Sequence, residues 1–124
     1  MKKRNSVFGS SSEALSFQTL KSNWGNRFDI YPSLPLSNII QIDKKDLTEG
    51  ERKFIYNTSV DYTLCQQDTG EPILSIEFDG IGGGFNSNGE YVQSRKTDDP
   101  HRKLKMDLKL RVTKEADYPF IVVS

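Results

Sequence analysis

The apolar residues of this chain recur with two different periods, one helical and one extended. Ala14, Phe17, Leu20 and Trp24 follow one another at spacings of three or four residues, as in an amphipathic helix. The serines and the glutamate around position 11 suit a helix start, and the Gly-Asn pair after Trp24 suits its end. We therefore predict a first helix from about residue 11 to residue 24.

The two clearest strands lie in the middle of the chain. They run from Ser59 to Gln66 and from Pro72 to Phe78, and the five residues between them include Gly70. A short polar connection that contains glycine is typical of a β-hairpin. Antiparallel pairing would bring the start of the first strand beside the end of the second.

Two further strands are predicted on either side of this hairpin. The first is Arg27 to Tyr31, which Pro32 should end, and the last is Tyr118 to Val123. Between the first strand and the hairpin, we expect the apolar residues 36–42 to pack on the core. Residues 43–53 are polar, and we expect them to form a loop or a short helix.

The segment 103–112 fits two structures. Its apolar residues alternate strictly, which indicates a strand, but every fourth one also falls on a single helical stripe. Asp98-Asp99-Pro100 is typical of a helix start, and the residues that follow are good helix formers. We favour the helix and keep the strand as the alternative. These apolar residues are Leu104, Met106, Leu108, Leu110 and Val112, and the helical stripe is Leu104, Leu108, Val112 and Ala116.

The predicted element order is α-β-β-β-α-β, which indicates an α/β fold with a central mixed four-stranded sheet flanked by helices. We expect residues 1–10 to be a flexible N-terminal segment and residues 11–124 to form a single domain. The apolar ending from Phe120 to Ser124 is compatible with a piece of a longer protein.

Composition narrows the class of protein only modestly. The 124 residues carry 17 basic and 17 acidic side chains, so the net charge gives no general signal for nucleic acid. The single cysteine, Cys65, excludes an internal disulfide, favours a reducing cytoplasm and reads as a small buried hydrophobe. No apolar run is long enough for a membrane helix. The oligomeric state is left open.

Three acids stand where buried strands should be apolar. Asp61 lies in the first hairpin strand, while Glu77 and Asp79 lie at the end of the second. Burying a carboxylate is costly without a partner, and a divalent cation relieves the repulsion within such a group. Hard oxygen ligands favour Mg²⁺ or Mn²⁺, with Asp61 and Glu77 as the metal pair. Asp61 could alternatively cap the strand edge, and Asp79 could form a turn beside Gly80.

A phosphodiester-cleaving site needs positive groups for the phosphate as well as acids for the metal, and a local basic cluster could supply them. If 103–112 is helical, Arg102, Lys105 and Lys109 share one polar stripe, and Lys103 lies nearby. A solvated helix surface would show the same charges. As a functional surface, Arg102, Lys103 and Lys109 would bind nucleic acid and one lysine would act on the phosphate.

These features together resemble the PD-(D/E)XK nuclease superfamily, particularly its small domains similar to very-short-patch repair endonucleases. The resemblance rests on Val60-Asp61-Tyr62-Thr63-Leu64, on Ile76-Glu77-Phe78-Asp79-Gly80 and on the later basic helix. It implies a restriction-endonuclease-like core and Mg²⁺-dependent hydrolysis of DNA. It also implies that Asp61 and Glu77 hold the metal, that Asp79 assists, and that Lys105 replaces the usual lysine. Glu13 matches a further acidic position.

Two departures from this pattern leave alternatives open. Related sequences often carry a histidine where this chain has Gly83, and His101 would have to substitute. The lysine could be Lys103, Lys105 or Lys109. A catalytically inactive module that binds nucleic acid or a protein is therefore the second hypothesis. A β-rich interaction domain is the third, if 103–112 is a strand.

Overall fold

The computed structural model describes residues 1–6, 11–78, 87–90 and 100–123. Its main elements follow the order α-β-β-β-α-β, with short helical segments inserted between the first two strands, so the predicted α/β class is confirmed. The elements are α1 (Ser11–Trp24), β1 (Phe28–Pro35), α2 (Glu49–Arg52), β2 (Ser59–Gln66), β3 (Pro72–Phe78), α3 (Pro100–Glu115) and β4 (Phe120–Val123). Two 3-10 turns cover Leu36–Asn38 and Lys44–Asp46.

The four strands form one mixed sheet in the order β1-β2-β3-β4. β1 and β3 each pair antiparallel with β2, and β4 lies parallel to β3. The hairpin between β2 and β3 turns at Gly70, whose φ of 73° suits glycine. In its register Tyr62 is opposite Ile76, so the next pair outward is Asp61 with Glu77.

The helices α1 and α3 cover opposite faces of this sheet. Tyr62 stacks on Phe17 of α1, with ring centroids 6.2 Å apart. Neighbouring residues of a strand point to opposite faces, and Glu77 follows Ile76, the partner of Tyr62. Because Glu77 contacts Lys109 of α3, the two helices sandwich the sheet.

The segment 103–112 is helical, as favoured, and the strand alternative is wrong. Pro100 is the first residue of α3, and Leu108 is fully buried in the main apolar cluster. The helical spacing predicts the packing correctly at Leu108 and Val112, which join residues of β2 and of the segment between β1 and β2 in one buried cluster. The third hypothesis, a β-rich interaction domain, required a strand at 103–112 and is therefore wrong as well. The buried cluster comprises Leu36, Leu47, Ile55, Val60, Leu108 and Val112.

Two local predictions are wrong. β1 does not end at Pro32 but continues to Pro35, because it is the edge strand of the sheet, where the missing N–H of proline leaves no ladder bond unmade. The helical spacing of Trp24 predicts that it packs on the core, but it is 45% exposed, since it stands at the last position of α1. Cys65 is buried, as expected, and burial raises the pKa of its thiol.

The polar segment 43–53, which precedes β2, is bound to α3 by hydrogen bonds. Thr48 and Glu51 form a reciprocal capping box at the start of α2. Arg111 of α3 donates a hydrogen bond of 2.9 Å to Glu51 and another to the carbonyl of Asp46. In the described ranges, no helix combines the length and the apolar character that a membrane crossing needs.

Candidate functional site

The central feature of the site is the reciprocal bonding of Asp61 and Glu77 across the hairpin. Glu77 Oε2 accepts a hydrogen bond of 3.2 Å from the backbone N–H of Asp61. Asp61 Oδ2 accepts one of 2.7 Å from the backbone N–H of Phe78. Each carboxylate is thus held by the backbone of the opposite strand. The predicted pairing of these two acids by hairpin geometry agrees with this arrangement.

Lys109 completes the group from α3. Its Nζ lies 2.8 Å from Glu77 Oε1, and the two side chains are only 9% and 13% exposed. A carboxylate this buried needs a counter-charge, because desolvation of an unpaired ion is expensive. The lysine therefore compensates the acid that the strand carries into the protein interior.

Burial dominates the titration of both acids. Desolvation raises the pKa of Glu77, while Lys109 opposes that rise and Asp61 adds to it. Desolvation likewise raises the pKa of Asp61, against the hydrogen bond from Phe78 and the charge of Lys109. The negative charge of Asp61 thus adds to the raised pKa of Glu77, which is the electrostatic situation that a bound cation relieves.

These residues open onto a pocket of about 380 Å³ between the end of the hairpin and the first turns of α3. The structure therefore brings together six residues that the sequence singled out, Asp61, Glu77, His101, Arg102, Lys105 and Lys109. The lining residues are Asp61, Glu77, Phe78, His101, Arg102, Lys105, Met106 and Lys109.

Lys105 lines the pocket without making the contact to Glu77 that Lys109 makes. Its ammonium lies 5.6 Å from the ring centroid of Phe54, and that ring is 5.1 Å from the ring of His101. Sequence reasoning missed Phe54, as well as the wall residues Phe78 and Met106. Phe54 directly follows the polar segment 43–53, and no spacing in the sequence indicated that it would meet α3.

Three predicted residues lie away from the pocket or outside the described residues. Lys103 pairs with Asp107 one turn along α3, at 2.9 Å, and both side chains are about half exposed. Glu13 offers its backbone carbonyl to the hydroxyl of Tyr62, at 2.5 Å, and its charge contributes to the raised pKa of Asp61. Asp79 lies outside the described residues, and so does Gly83.

The donor set suits Mg²⁺ or Mn²⁺ in type and in number. Magnesium binds through one or two carboxylates and completes its shell with water and substrate phosphate. Asp61 and Glu77 supply such a pair, although no larger group of His, Cys, Asp or Glu is arranged for a metal within the described ranges. Lys109 already donates a hydrogen bond to one oxygen of Glu77, so a cation at Glu77 would share the carboxylate with a second positive charge.

Comparison with protein-family models, with curated proteins and with solved structures gives no match to this chain. The function of this chain is therefore inferred from the geometry of the pocket and from the motifs that line it.

Proposed function

We propose that this chain is a nuclease-like domain with a restriction-endonuclease-like core, which hydrolyses DNA phosphodiester bonds in a Mg²⁺- or Mn²⁺-dependent reaction. The observation that supports this proposal is the convergence of Asp61, Glu77 and Lys109 with the basic residues of α3 on one pocket. Paired acids that compensate a cation and bases that compensate a phosphate are the two charge requirements of phosphodiester hydrolysis.

The basic residues would hold the phosphate. Arg102 and Lys105 line the pocket from successive turns of α3, so both can reach one phosphate group. Their positive charge would offset the negative charge that builds up on the phosphoryl oxygens in the transition state. Arg102 suits the non-bridging oxygens because its planar group donates two parallel hydrogen bonds.

The acids would hold the cation and the attacking water. Hydrolysis forms a bond between water oxygen and phosphorus and breaks the bond from phosphorus to the leaving oxygen, which ends protonated. When bound, Mg²⁺ supplies a lowered pKa of water and neutralises phosphate charge. Asp61 and Glu77 are fixed by backbone N–H groups, so their positions are set before substrate arrives.

Cleavage of supercoiled plasmid and of labelled oligonucleotides tests this proposal. The full chain should cut DNA in Mg²⁺ or Mn²⁺ and not in EDTA. Glu77→Gln should lower the rate by about 10²-fold or more, since it removes a charge of the metal pair. Glu71→Gln is the matched control, because Glu71 is exposed in the hairpin turn. Full activity in Glu77→Gln would contradict the proposal.

A second candidate is a catalytically inactive module that keeps the fold and binds nucleic acid or a protein partner. It is favoured by the close ion pair of Lys109 with Glu77, which neutralises the acid without any cation. Binding of DNA without cleavage in either metal, and unchanged by Glu77→Gln, would favour this candidate.

A further inference from the structure

Lys109 occupies the position from which a cation would neutralise Glu77. The ammonium lies 2.8 Å from Oε1, and the other oxygen of Glu77 accepts the N–H of Asp61. Both oxygens of Glu77 thus accept hydrogen bonds from the protein itself. A divalent cation bound to this carboxylate would lie beside the ammonium, and the two positive charges would repel each other.

We propose that Lys109 is a built-in competitor of the divalent cation, so that the pocket alternates between a state closed by lysine and a state open to metal. The proposal rests on the proposed function, because it presumes a cation site at Asp61 and Glu77. It adds a regulatory property to that site. Metal occupancy would require a cation concentration high enough to displace a partly buried ion pair, so the domain would be latent in low Mg²⁺.

Several charged groups set the balance between the two states. From α3, Arg102 and Lys109 act on Asp61, and from α1 the charge of Glu13 acts in the opposite direction. The negative charge of Asp61 disfavours ionised Glu77, and any cation beside the two acids relieves this repulsion. The feature that separates the states is the direct contact of Lys109, since only this ammonium bonds to Glu77 among the described residues.

Removal of the Lys109 ammonium should strengthen metal binding, and it should also lower the stability of the fold when no cation is added. An opposite charge at this distance shifts the proton affinity of a carboxylate by roughly one to three pKa units. The same field acts on a competing metal ion, so we expect Lys109→Met to bind Mn²⁺ at least about tenfold more tightly than the unaltered chain.

The experiment measures Mn²⁺ affinity by calorimetry and by electron paramagnetic resonance of free Mn²⁺, at pH 8, on the full chain. Lys109→Gln accompanies Lys109→Met, because the amide keeps a hydrogen-bond donor for Glu77 and protects folding. Lys114→Met is the matched control, since it removes one exposed positive charge from the last turn of the same helix. Its Mn²⁺ affinity should stay within about twofold of the unaltered chain.

The outcomes separate this inference from the proposed function. Tighter binding in both Lys109 variants, lost when Glu77→Gln is added, supports the competition. Equal or weaker binding in these variants, with a clear site in the unaltered chain, overturns the competition and leaves the proposed function standing. Tight binding that survives Glu77→Gln places the cation elsewhere and overturns it too. Absence of Mn²⁺ binding in every variant overturns both proposals.

A measurement on the unaltered chain avoids dependence on any variant. The ammonium protons of a buried, ion-paired lysine exchange slowly enough to be seen by NMR. In EDTA, Lys109 should give such a signal, and Mg²⁺ should remove it at the concentration that saturates the site. Persistence of the signal at saturating Mg²⁺ would overturn the competition.

Discussion

Lys109 of α3 and Glu77 of β3 form a mostly buried ion pair, with 2.8 Å between Nζ and Oε1. The pair joins the helix to the centre of the sheet at the mouth of the pocket. It also explains how an apolar strand tolerates a glutamate. The first consequence is structural and can be tested without any metal or DNA.

Removal of one partner should destabilise the fold. We expect Lys109→Met, in EDTA at pH 7, to lower the free energy of unfolding by about 3 kcal/mol, because it leaves Glu77 buried without its counter-charge. Urea unfolding followed by circular dichroism measures the effect. Lys114→Met should change the stability by less than about 0.5 kcal/mol. Equal effects of the two substitutions would show that the ion pair does not contribute.

Replacement of both partners should restore much of that loss. The double variant Glu77→Leu with Lys109→Met removes both charges from the interior, and apolar replacements of a buried pair are often neutral or stabilising. We expect its free energy of unfolding to exceed that of Lys109→Met. A double variant less stable than the single one would indicate that Glu77 has another essential contact.

The raised pKa of Glu77 predicts a definite pH dependence. Because the folded protein holds the proton more tightly than the unfolded chain, stability is greatest below the ordinary glutamate pKa and falls as pH rises through the higher folded value. Asp61 contributes with the same sign. Carboxyl chemical shifts recorded by NMR against pH should show Glu77 titrating above the ordinary pKa of a glutamate. Titration of Glu77 at or below that ordinary pKa would contradict the burial argument.

Glu51 should contribute to the pH dependence of stability with the opposite sign. Burial works against it, but hydrogen bonds from Thr48 and the charge of Arg111 lower the pKa of this carboxyl. Its stabilising effect is present above the ordinary pKa and is lost as pH falls through the folded value. The double variant Asp61→Asn with Glu77→Gln should therefore remove the decline in stability at higher pH and leave the loss at acid pH. Unaltered decline in that variant would show that other groups cause it.

The core of the domain depends on α3. Leu108 is fully buried, and Leu108→Ala should cost about 2–5 kcal/mol through lost burial and the cavity that remains. Leu15→Ala is the control, since Leu15 is 66% exposed on α1, and it should have little effect. Denaturant unfolding of the two variants makes the comparison. A small loss in Leu108→Ala would contradict the packing of α3 on the sheet.

Arg102 should matter for DNA and not for folding. We expect Arg102→Ala to weaken binding of DNA in EDTA and to reduce the slope of log affinity against log salt by about one, because one phosphate contact is lost. Fluorescence anisotropy at several salt concentrations measures both. Lys114→Ala is the control on the same helix. Identical salt slopes for Arg102→Ala and the unaltered chain would argue against phosphate contact in the pocket.

Local patterns in the sequence predicted the hairpin well. The strands at Ser59–Gln66 and Pro72–Phe78 have the predicted bounds, because both are apolar and the turn holds a glycine at positive φ. The predicted end of β1 at Pro32 was wrong. Whether a strand lies at the edge depends on the whole sheet, so the residues around Pro32 alone do not show it. The same limit explains Trp24, which has the helical spacing of the half-buried Phe17 and Leu20 but is 45% exposed at the end of α1.

The candidate site was predicted in part. Hairpin geometry paired Asp61 with Glu77, whereas the contact of Lys109 depends on how α3 is rotated against the sheet. One signal was available in the sequence. Leu108 belongs to the helical stripe and is buried, and Lys109 is the next residue along the chain. An acid in a buried strand requires a base from an element that packs on that strand. Lys105, the predicted lysine, lines the same pocket and stays a prediction.

The claim that Asp61 and Glu77 hold a divalent cation is tested most directly by diffraction from crystals soaked in Mn²⁺. We expect an anomalous peak within about 2.5 Å of a carboxylate oxygen from each acid, with the ammonium of Lys109 moved away from Glu77. Crystals of Glu77→Gln should lose the peak, while crystals of Glu71→Gln should keep it. Absence of a peak in the unaltered chain, with Lys109 still 2.8 Å from Glu77, would contradict the metal site.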